Sequence, residues 1–322
     1  MVREKAFDDV DIAISWHPGS LTGVIRGSSL ANCRVDFTYE GRASHAAGSP
    51  HLGRSALDAV ELMNVGVNYI REHMPEKARI HYAIIDGGGI SPNVVQSKAK
   101  VRYVVRDEST SKMLNLLERV KKIAKGAAMM TETKMTARVL AGVSNLIYNP
   151  TLGDVMQRNL ELLGPPTFSK EEYIYAEKMQ ATLSTDDIKT AYEQAGIEHL
   201  HDRPLPESIV PANSPAKGIA GSTDVADVSW VVPTVQLWGA NYAIGTPFHS
   251  WQMTAQGKSS IAIKGMTHAA MVMAATGADV LLNKTLIKKA WSDLRRQIGK
   301  EGYISPLLKN SKPPIKDMAP KS

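Results

Sequence analysis

The residues of this chain best placed to do chemistry are histidines in loops or at strand ends. His45 lies in a loop over residues 41–53 that is punctuated by glycine and proline and stands between a strand-like run and a helix-like run. A loop between two rigid elements is a common place for a catalytic side chain. His45 is therefore a candidate catalytic residue, and the alternative is that its ring only hydrogen-bonds within the turn.

His17 follows a short apolar run over residues 11–16 and precedes Pro18-Gly19, a pattern typical of a buried strand that ends in a turn. Open α/β sheets bind ligands at the ends of their strands. His17 is therefore a candidate metal ligand, unless it only caps the turn. His249 lies in another loop, before an Ala- and Met-rich helix predicted over residues 265–282.

Two further polar residues lie near predicted strand ends. Asn93 follows three glycines and Ser91-Pro92, so the chain must turn tightly there, and on the residues alone Asn93 is a candidate turn former. Arg106 ends a predicted strand. Its planar guanidinium could bind a substrate carboxylate, or it could form a surface ion pair with Asp107 or Glu108.

Composition limits the classes of function. A chain of 322 residues, 43% hydrophobic and 22% charged, is long enough for two globular domains. The net charge is +6, but lysine and arginine are scattered without interleaved aromatic residues, so we expect no nucleic-acid binding. A mild positive balance suits a small anionic substrate instead.

The compartment can also be predicted. Cys33 is the only cysteine, which excludes an internal disulfide and indicates a reducing compartment, where it is expected to be a small buried hydrophobe. The first residues contain no apolar signal segment, and no apolar run approaches a membrane span. We expect a cytoplasmic protein that binds no membrane.

The segment from about residue 29 to residue 143 alternates strand, helix, strand, strand, helix and strand. The first helix has apolar residues at spacings of three and four, and Pro75 follows it. This βαββαβ order predicts a ferredoxin-like layer of two helices on one sheet.

Five pieces together resemble a known family, the dinuclear-metal amidohydrolases of the aminoacylase and carboxypeptidase type (metallopeptidase family twenty). They are the loop with His45, residues 87–95, the strand that ends at Arg106, residues 16–19 and residues 247–250. The resemblance implies an α/β metallopeptidase-type catalytic domain, incomplete here, with an inserted ferredoxin-like α+β lid and dimerisation domain. The expected boundaries are 1–28 and 146–304 for the catalytic domain and 29–145 for the lid. Residues 305–322 are rich in proline and lysine and are expected to form a disordered tail.

The resemblance also implies a metal site. His17 and His249 match two histidine ligands of a divalent metal, manganese or zinc, in that family. The family's Cys/His motif and its Glu-Glu pair, which supplies the general base, are expected upstream of His17, where this chain has only sixteen residues. Glu171-Glu172 lies far downstream and cannot replace the pair. The metal site is therefore expected to be incomplete, and whether the chain alone is an enzyme stays open.

The implied reaction is metal-dependent hydrolysis of an amide bond in an aminobenzoyl-glutamate-like or N-acyl amino acid substrate, as in the catabolism of folate breakdown products. In that family the residue matching His45 stabilises the oxyanion in the partner subunit. Asn93 matches a substrate or oxyanion contact, and Arg106 matches a substrate-binding position. We therefore expect a homodimer, or a heterodimer with a related subunit. The alternative is an inactive or helper fragment that only dimerises and donates His45 to an intact partner.

Other polar residues are expected to have lesser roles. Asp224 and Asp227 could bind metal or cap a short helix, and we favour a place in the wall of the active site. His268 is expected to be packed or to face a partner. His199 and His201 are expected to be exposed.

Overall fold

A computed structural model describes residues 1–199, 203–215, 218, 221–300 and 302–312. The strands are β1 (Ala13–Gly19), β2 (Gly23–Val24), β3 (Ala31–Glu40), β4 (Arg79–Asp86), β5 (Lys98–Asp107), β6 (Lys134–Val143) and β7 (Thr234–Ala240). The α-helices are α1 (Ala56–Ile70), α2 (Thr110–Met130), α3 (Pro150–Leu163), α4 (Lys170–Gln180), α5 (Thr185–Ala195), α6 (Val225–Ser229), α7 (Trp251–Gln256), α8 (Ser260–Leu282) and α9 (Lys284–Ile298).

The chain forms two compact units. The lid unit contains the described residues of Ser29–Asn145, Gly221–Asp224 and Ile304–Ser322. The mixed unit contains the described residues of Met1–Ser28, Leu146–Ala220 and Val225–Tyr303. Each unit has its own sheet and its own apolar core.

The lid unit has the predicted βαββαβ order. Its four-stranded sheet has the order β4-β5-β3-β6, with every neighbouring pair antiparallel. This is the strand order of a ferredoxin-like layer, so the fold predicted for this segment is confirmed.

Strand β3 shows why one face of this sheet is covered. Its side chains alternate, so that Cys33, Val35, Phe37 and Tyr39 are fully buried in the lid core. Helices α1 and α2 pack on that face, and their apolar residues recur at helical spacing. The opposite face of the sheet presents the other set of side chains, which includes Arg34 and Arg106.

Both lid helices begin at a serine cap. The Ser55 hydroxyl accepts a hydrogen bond from the Asp58 amide at 3.0 Å, and Ser109 caps α2 in the same way. The apolar residues predicted to face the core of α1, including Val60, Met63 and Val67, are buried.

The mixed unit contains a three-stranded sheet of order β1-β7-β2. Strands β1 and β7 are parallel, and β2 is antiparallel to β7. The sequence predicted that the first strand ends before His17, but β1 continues to Gly19. The reason is that His17, Pro18 and Gly19 each pair with a residue of β7, so the parallel ladder extends through the expected turn.

Helix α8 is long and apolar enough to cross a membrane by length and composition alone, which the sequence analysis did not anticipate. Its buried residues pack against β1, β7 and α3 inside the mixed unit. Lys264 on this helix forms a salt bridge with Glu172 at 2.7 Å. These contacts pack one face of α8 into the mixed unit, and 33% of its most apolar window is buried.

The segment predicted as a disordered tail begins with packed residues. Pro306 is buried, and it lies where a side chain at Gly142 of β6 would touch it. The packed part of the lid unit thus extends beyond its predicted end, and residues 313–322 lie outside the described residues.

Candidate functional site

The loops that carry His45 and Asn93 lie side by side in the lid unit. The Ala46 amide donates to the Asn93 carbonyl at 2.9 Å, and the Val95 amide donates to the Ser44 carbonyl at 3.0 Å. Gly53 allows this approach, because a Cβ there would lie 2.5 Å from the Ser44 hydroxyl. The structure therefore brings two of the predicted site residues together.

The His45 ring is held by its own turn. Its Nδ1 accepts hydrogen bonds from the backbone amides of Gly48 at 3.0 Å and Ala47 at 3.2 Å. A ring nitrogen that accepts carries no proton, so the neutral ring carries its proton on Nε2. The structure thus contains the hydrogen bonds within the turn that were considered as the alternative. They leave the ring exposed, with an Nε2–H group free to donate.

Asn93 occupies a tight turn, as its glycine-rich surroundings predicted. Gly88 has φ +87, a conformation that favours glycine, and a Cβ there would collide with Gln96 and the Lys98 carbonyl. The Asn93 side chain is exposed and forms no hydrogen bond within the described residues. Its amide is available to a ligand.

Arg106 lies on the outer face of β5 and is partly buried. Its NH1 group donates to the Ser222 hydroxyl at 3.3 Å, whereas its Nε is buried without a partner among the described residues. Burial, followed by the nearby charge of Arg34, lowers the pKa of Arg106. The alternative of an ion pair with a neighbour does not hold, because Glu108 pairs with Lys77 and Lys112.

The other carboxylate considered, Asp107, points toward the opposite face of the sheet and is buried. Within the part of the chain that the structure describes, the Arg106 guanidinium forms no ion pair.

Arg106 and His45 occupy opposite ends of the lid sheet. The His45 and Asn93 loops adjoin the end where Glu40 pairs with Lys98, and Arg106 pairs with Asn32 at the other end. Arg106 lies about eight residues along β5 from Lys98, which is about 26 Å along a strand. One small molecule cannot contact both side chains of the same lid unit.

In the mixed unit, His17 lies near the carboxyl end of β1. Its ring contacts the ring of Trp238 at 4.8 Å between centroids and the ring of Phe248 at 5.9 Å. The Nδ1 of His17 lies 2.8 Å from the Pro18 carbonyl oxygen. Because a carbonyl oxygen can only accept, Nδ1 carries the proton and Nε2 keeps the lone pair that a metal ligand needs.

His249 follows Phe248 in the loop after β7, so both predicted histidines lie near the carboxyl ends of parallel strands. His249 has φ 62, a left-handed backbone that is strained for a residue other than glycine. The contact between the rings of Phe248 and His17 places this loop beside His17.

Gln256 holds the His249 loop in place. Its side-chain carbonyl accepts from the Ala243 amide at 2.8 Å, and its Nε2 donates to the Thr246 hydroxyl at 3.0 Å. Gln256 is fully buried. Sequence reasoning did not identify it, because a buried glutamine in a short helix has no distinguishing spacing.

The metal-ligand set is not complete among the described residues. No group of three or more histidine, cysteine, aspartate or glutamate residues that could hold a metal is found in them. Asp227 accepts a hydrogen bond from the Tyr303 hydroxyl at 2.7 Å, and Asp224 is exposed. His17 and His249 have the right donor chemistry, but two ligands do not fit a complete metal centre.

Glu171-Glu172, which the sequence excluded as a replacement for the family's Glu-Glu pair, lies in the first turn of α4. Glu172 forms a capping box with Ser169 at the start of α4 and accepts from Lys264. Burial alone would raise the pKa of Glu172, but the hydrogen bonds, first that from Lys264, lower it. This carboxylate therefore caps α4 and pairs with Lys264.

Three further histidines and Cys33 were predicted to have no catalytic role. His268 is buried and its Nε2 lies 2.7 Å from the Gly164 carbonyl oxygen, and Cys33 is buried in the lid core, both as predicted. His199 was expected to be exposed, but it is partly buried because its ring stacks on Tyr192 at 4.9 Å. His201 lies outside the described residues.

Residues 28–130 match the family model of the peptidase dimerisation domain. The chain is 42% identical to one of the subunits of p-aminobenzoyl-glutamate hydrolase of Escherichia coli, over 98% of this chain and 68% of that protein. It is 24% identical to Xaa-Arg dipeptidase of Mus musculus, over 95% of this chain and 61% of that protein.

Among solved structures, a proposed aminohydrolase of methicillin-resistant Staphylococcus aureus matches with a TM-score of 0.51 and 13% identity. The match covers 85% of this chain and 60% of the other. Together with the dimerisation-domain match, it confirms the predicted fold class. In each of these comparisons the chain spans only part of the length of its relative.

Proposed function

The chain belongs to the family of p-aminobenzoyl-glutamate hydrolase, and on this premise we propose that it takes part in metal-dependent hydrolysis of an amide bond. The proposed substrate is an anionic amide, either aminobenzoyl-glutamate-like or an N-acyl amino acid. The observation that carries the proposal is the His45 ring, whose Nδ1 is occupied by backbone amides and whose Nε2–H is exposed.

Hydrolysis of an amide passes through a tetrahedral intermediate in which the carbonyl oxygen becomes negative. A fixed donor aimed at that oxygen stabilises the transition state more than the substrate. His45 supplies such a donor at Nε2. Its turn prevents the ring from taking the opposite tautomer without loss of two hydrogen bonds.

Arg106 binds the substrate carboxylate in this proposal. Its Nε is buried without a partner among the described residues, and a planar guanidinium matches a carboxylate with two parallel hydrogen bonds. The distance of about 26 Å along β5 between the two ends of the lid sheet separates Arg106 from His45. Each reaction site would therefore combine Arg106 of one chain with His45 of another.

The lid unit has a surface suited to such pairing. Strand β4 is an edge strand of the lid sheet and carries exposed Tyr82, Ile84 and Ile85. Helix α1, which packs on the neighbouring strand β5, exposes Val65 and Tyr69. An apolar edge strand pairs readily with another chain. We assign this surface to the contact with a second copy or a related subunit.

A divalent metal, manganese or zinc, is part of the proposal. When bound, it would activate water and polarise the amide carbonyl. His17 and His249 are its candidate ligands here. Because the described residues do not complete the ligand set, the remaining ligands must come from elsewhere, and the roles of His45 and Arg106 do not depend on the metal.

The direct test is turnover. The purified chain is incubated with p-aminobenzoyl-glutamate and manganese or zinc, and released p-aminobenzoate is separated and quantified. If the chain is an autonomous hydrolase, release is metal-dependent, and His45→Gln lowers kcat about 100- to 1000-fold. His51→Gln changes an exposed histidine of the same loop and is the matched control. No release with either metal would exclude autonomous hydrolysis of p-aminobenzoyl-glutamate by this chain.

The alternative, a helper that only dimerises and donates His45, is favoured by the incomplete ligand set among the described residues. It is tested by mixing this chain with a variant of the Escherichia coli relative that lacks the histidine matching His45. Rescue of that variant by the wild-type chain, and not by its His45→Gln form, would establish the helper role.

A further inference from the structure

The outer face of the lid sheet carries two arginines without counter-ions among the described residues. Arg34 on β3 pairs with Val104 of β5, so Arg106 lies two residues further along β5 on the same face. Such diagonal neighbours lie about 7 to 8 Å apart, within reach of long side chains. The nearby charge of Arg34 also contributes to the lowered pKa of Arg106.

A third arginine on the same face, Arg102, has a carboxylate partner that neutralises its charge. Arg102 donates to both carboxylate oxygens of Asp36, from Nε at 2.7 Å and from NH2 at 3.0 Å. Neither Arg34 nor Arg106 has such a carboxylate within the described ranges of the chain. The fold thus neutralises Arg102 and leaves the charges of the other two uncompensated by any described carboxylate.

Further positive charge surrounds the pair. Arg79 of β4 lies directly opposite Arg106, although like charges facing each other destabilise a sheet. The pKa of His81, two residues along β4, is lowered by burial and then by the charges of Arg106, Arg71 and Arg79. A cluster that the fold leaves unneutralised favours an anionic ligand.

We propose that Arg34 and Arg106 together bind a ligand with two carboxylates, one on each guanidinium, an inference that rests on the proposed function and narrows its substrate class. Arg106, partly buried and fixed by Ser222, anchors the first carboxylate. Arg34 is exposed and selects for ligands that have the second carboxylate. Amides of glutamate have both groups, whereas amides of most amino acids have one.

The test is binding, which needs no turnover. Isothermal titration calorimetry compares p-aminobenzoyl-glutamate with p-aminobenzoyl-glutamine, which lacks the second carboxylate. We expect the wild-type chain to prefer the dicarboxylate by about tenfold, the range of one charge-assisted hydrogen-bonded contact. Arg34→Gln should remove this preference and leave affinity for the glutamine compound unchanged. Arg106→Gln should weaken both.

Lys100→Gln is the matched control, because it removes a positive charge from the same face of the same strand, beyond Arg102 as seen from Arg106. Circular dichroism melts establish that each variant is folded. The inference is overturned if Arg34→Gln keeps the full preference, if Lys100→Gln loses it, or if inorganic phosphate binds the wild-type chain as tightly as the dicarboxylate. Binding with the expected preference but no hydrolysis would uphold this site and count against the proposed reaction alone.

Discussion

His17 and His45 are held in opposite tautomers by the backbone atoms beside them. The Pro18 carbonyl accepts a hydrogen bond from His17 Nδ1 at 2.8 Å, whereas the Gly48 amide donates one to His45 Nδ1 at 3.0 Å. The first arrangement leaves a lone pair on Nε2, and the second leaves a proton there. These are the forms required of a metal ligand and of an oxyanion donor.

The first prediction is that this difference is measurable. Long-range nitrogen-15 NMR correlations of the neutral histidine rings should show His45 protonated at Nε2 and His17 protonated at Nδ1. His51 is exposed, and its ring forms no hydrogen bond with the described part of the chain, so it is the internal control with both tautomers populated. A His45 ring protonated at Nδ1 would contradict the proposed donor role.

Sequence reasoning was most successful where patterns are local. Buried side chains alternate along β3, and on α1 they recur at the helical spacing of Val60, Met63 and Val67. Both patterns reflect burial on one face, so the lid fold could be predicted from them. Sequence reasoning failed where the end of an element depends on pairing with a segment far along the chain. Strand β1 continues through His17 because β7, which is far along the chain, supplies the ladder.

In the candidate site, too, local patterns identify residues and long-range strand pairing determines which of them are neighbours. His45 and Asn93 are marked by the glycines and prolines around them, and the structure brings their loops together. Arg34 could have been found from the outward positions of β3, but only the strand register shows that it neighbours Arg106. The opposite placement of Arg106 and His45 also depends on that register.

The second prediction concerns the edge strand. Ile84→Lys places a charge on the exposed apolar edge of β4, which an interface would have to desolvate. We expect the dimer dissociation constant to rise about tenfold or more, measured by analytical ultracentrifugation. Met129→Lys makes the same change on an exposed residue of α2 and should leave the constant unchanged. Equal effects of the two variants would remove β4 from the interface.

The third prediction concerns the loop of His249. Gln256→Leu keeps the volume but removes the acceptor of the Ala243 amide and the donor to the Thr246 hydroxyl, both buried. The free energy of unfolding in urea should fall by about 1 to 3 kcal/mol. Gln194→Leu on the exposed surface of α5 should change it by about 0.5 kcal/mol or less. A small effect of Gln256→Leu would show that the loop is held by other contacts.

The fourth prediction follows from Cys33. Burial raises the pKa of its thiol from 9.0 to about 11, with Lys121 opposing the shift. Between these values the unfolded chain releases a proton that the folded chain keeps, so stability falls as pH rises from 9.0 to about 11. Relative to Cys33→Ala, the wild-type chain should lose about 2 to 3 kcal/mol over that interval, measured by urea unfolding at each pH. Parallel pH profiles of the two proteins would show that the thiol ionises equally in both states.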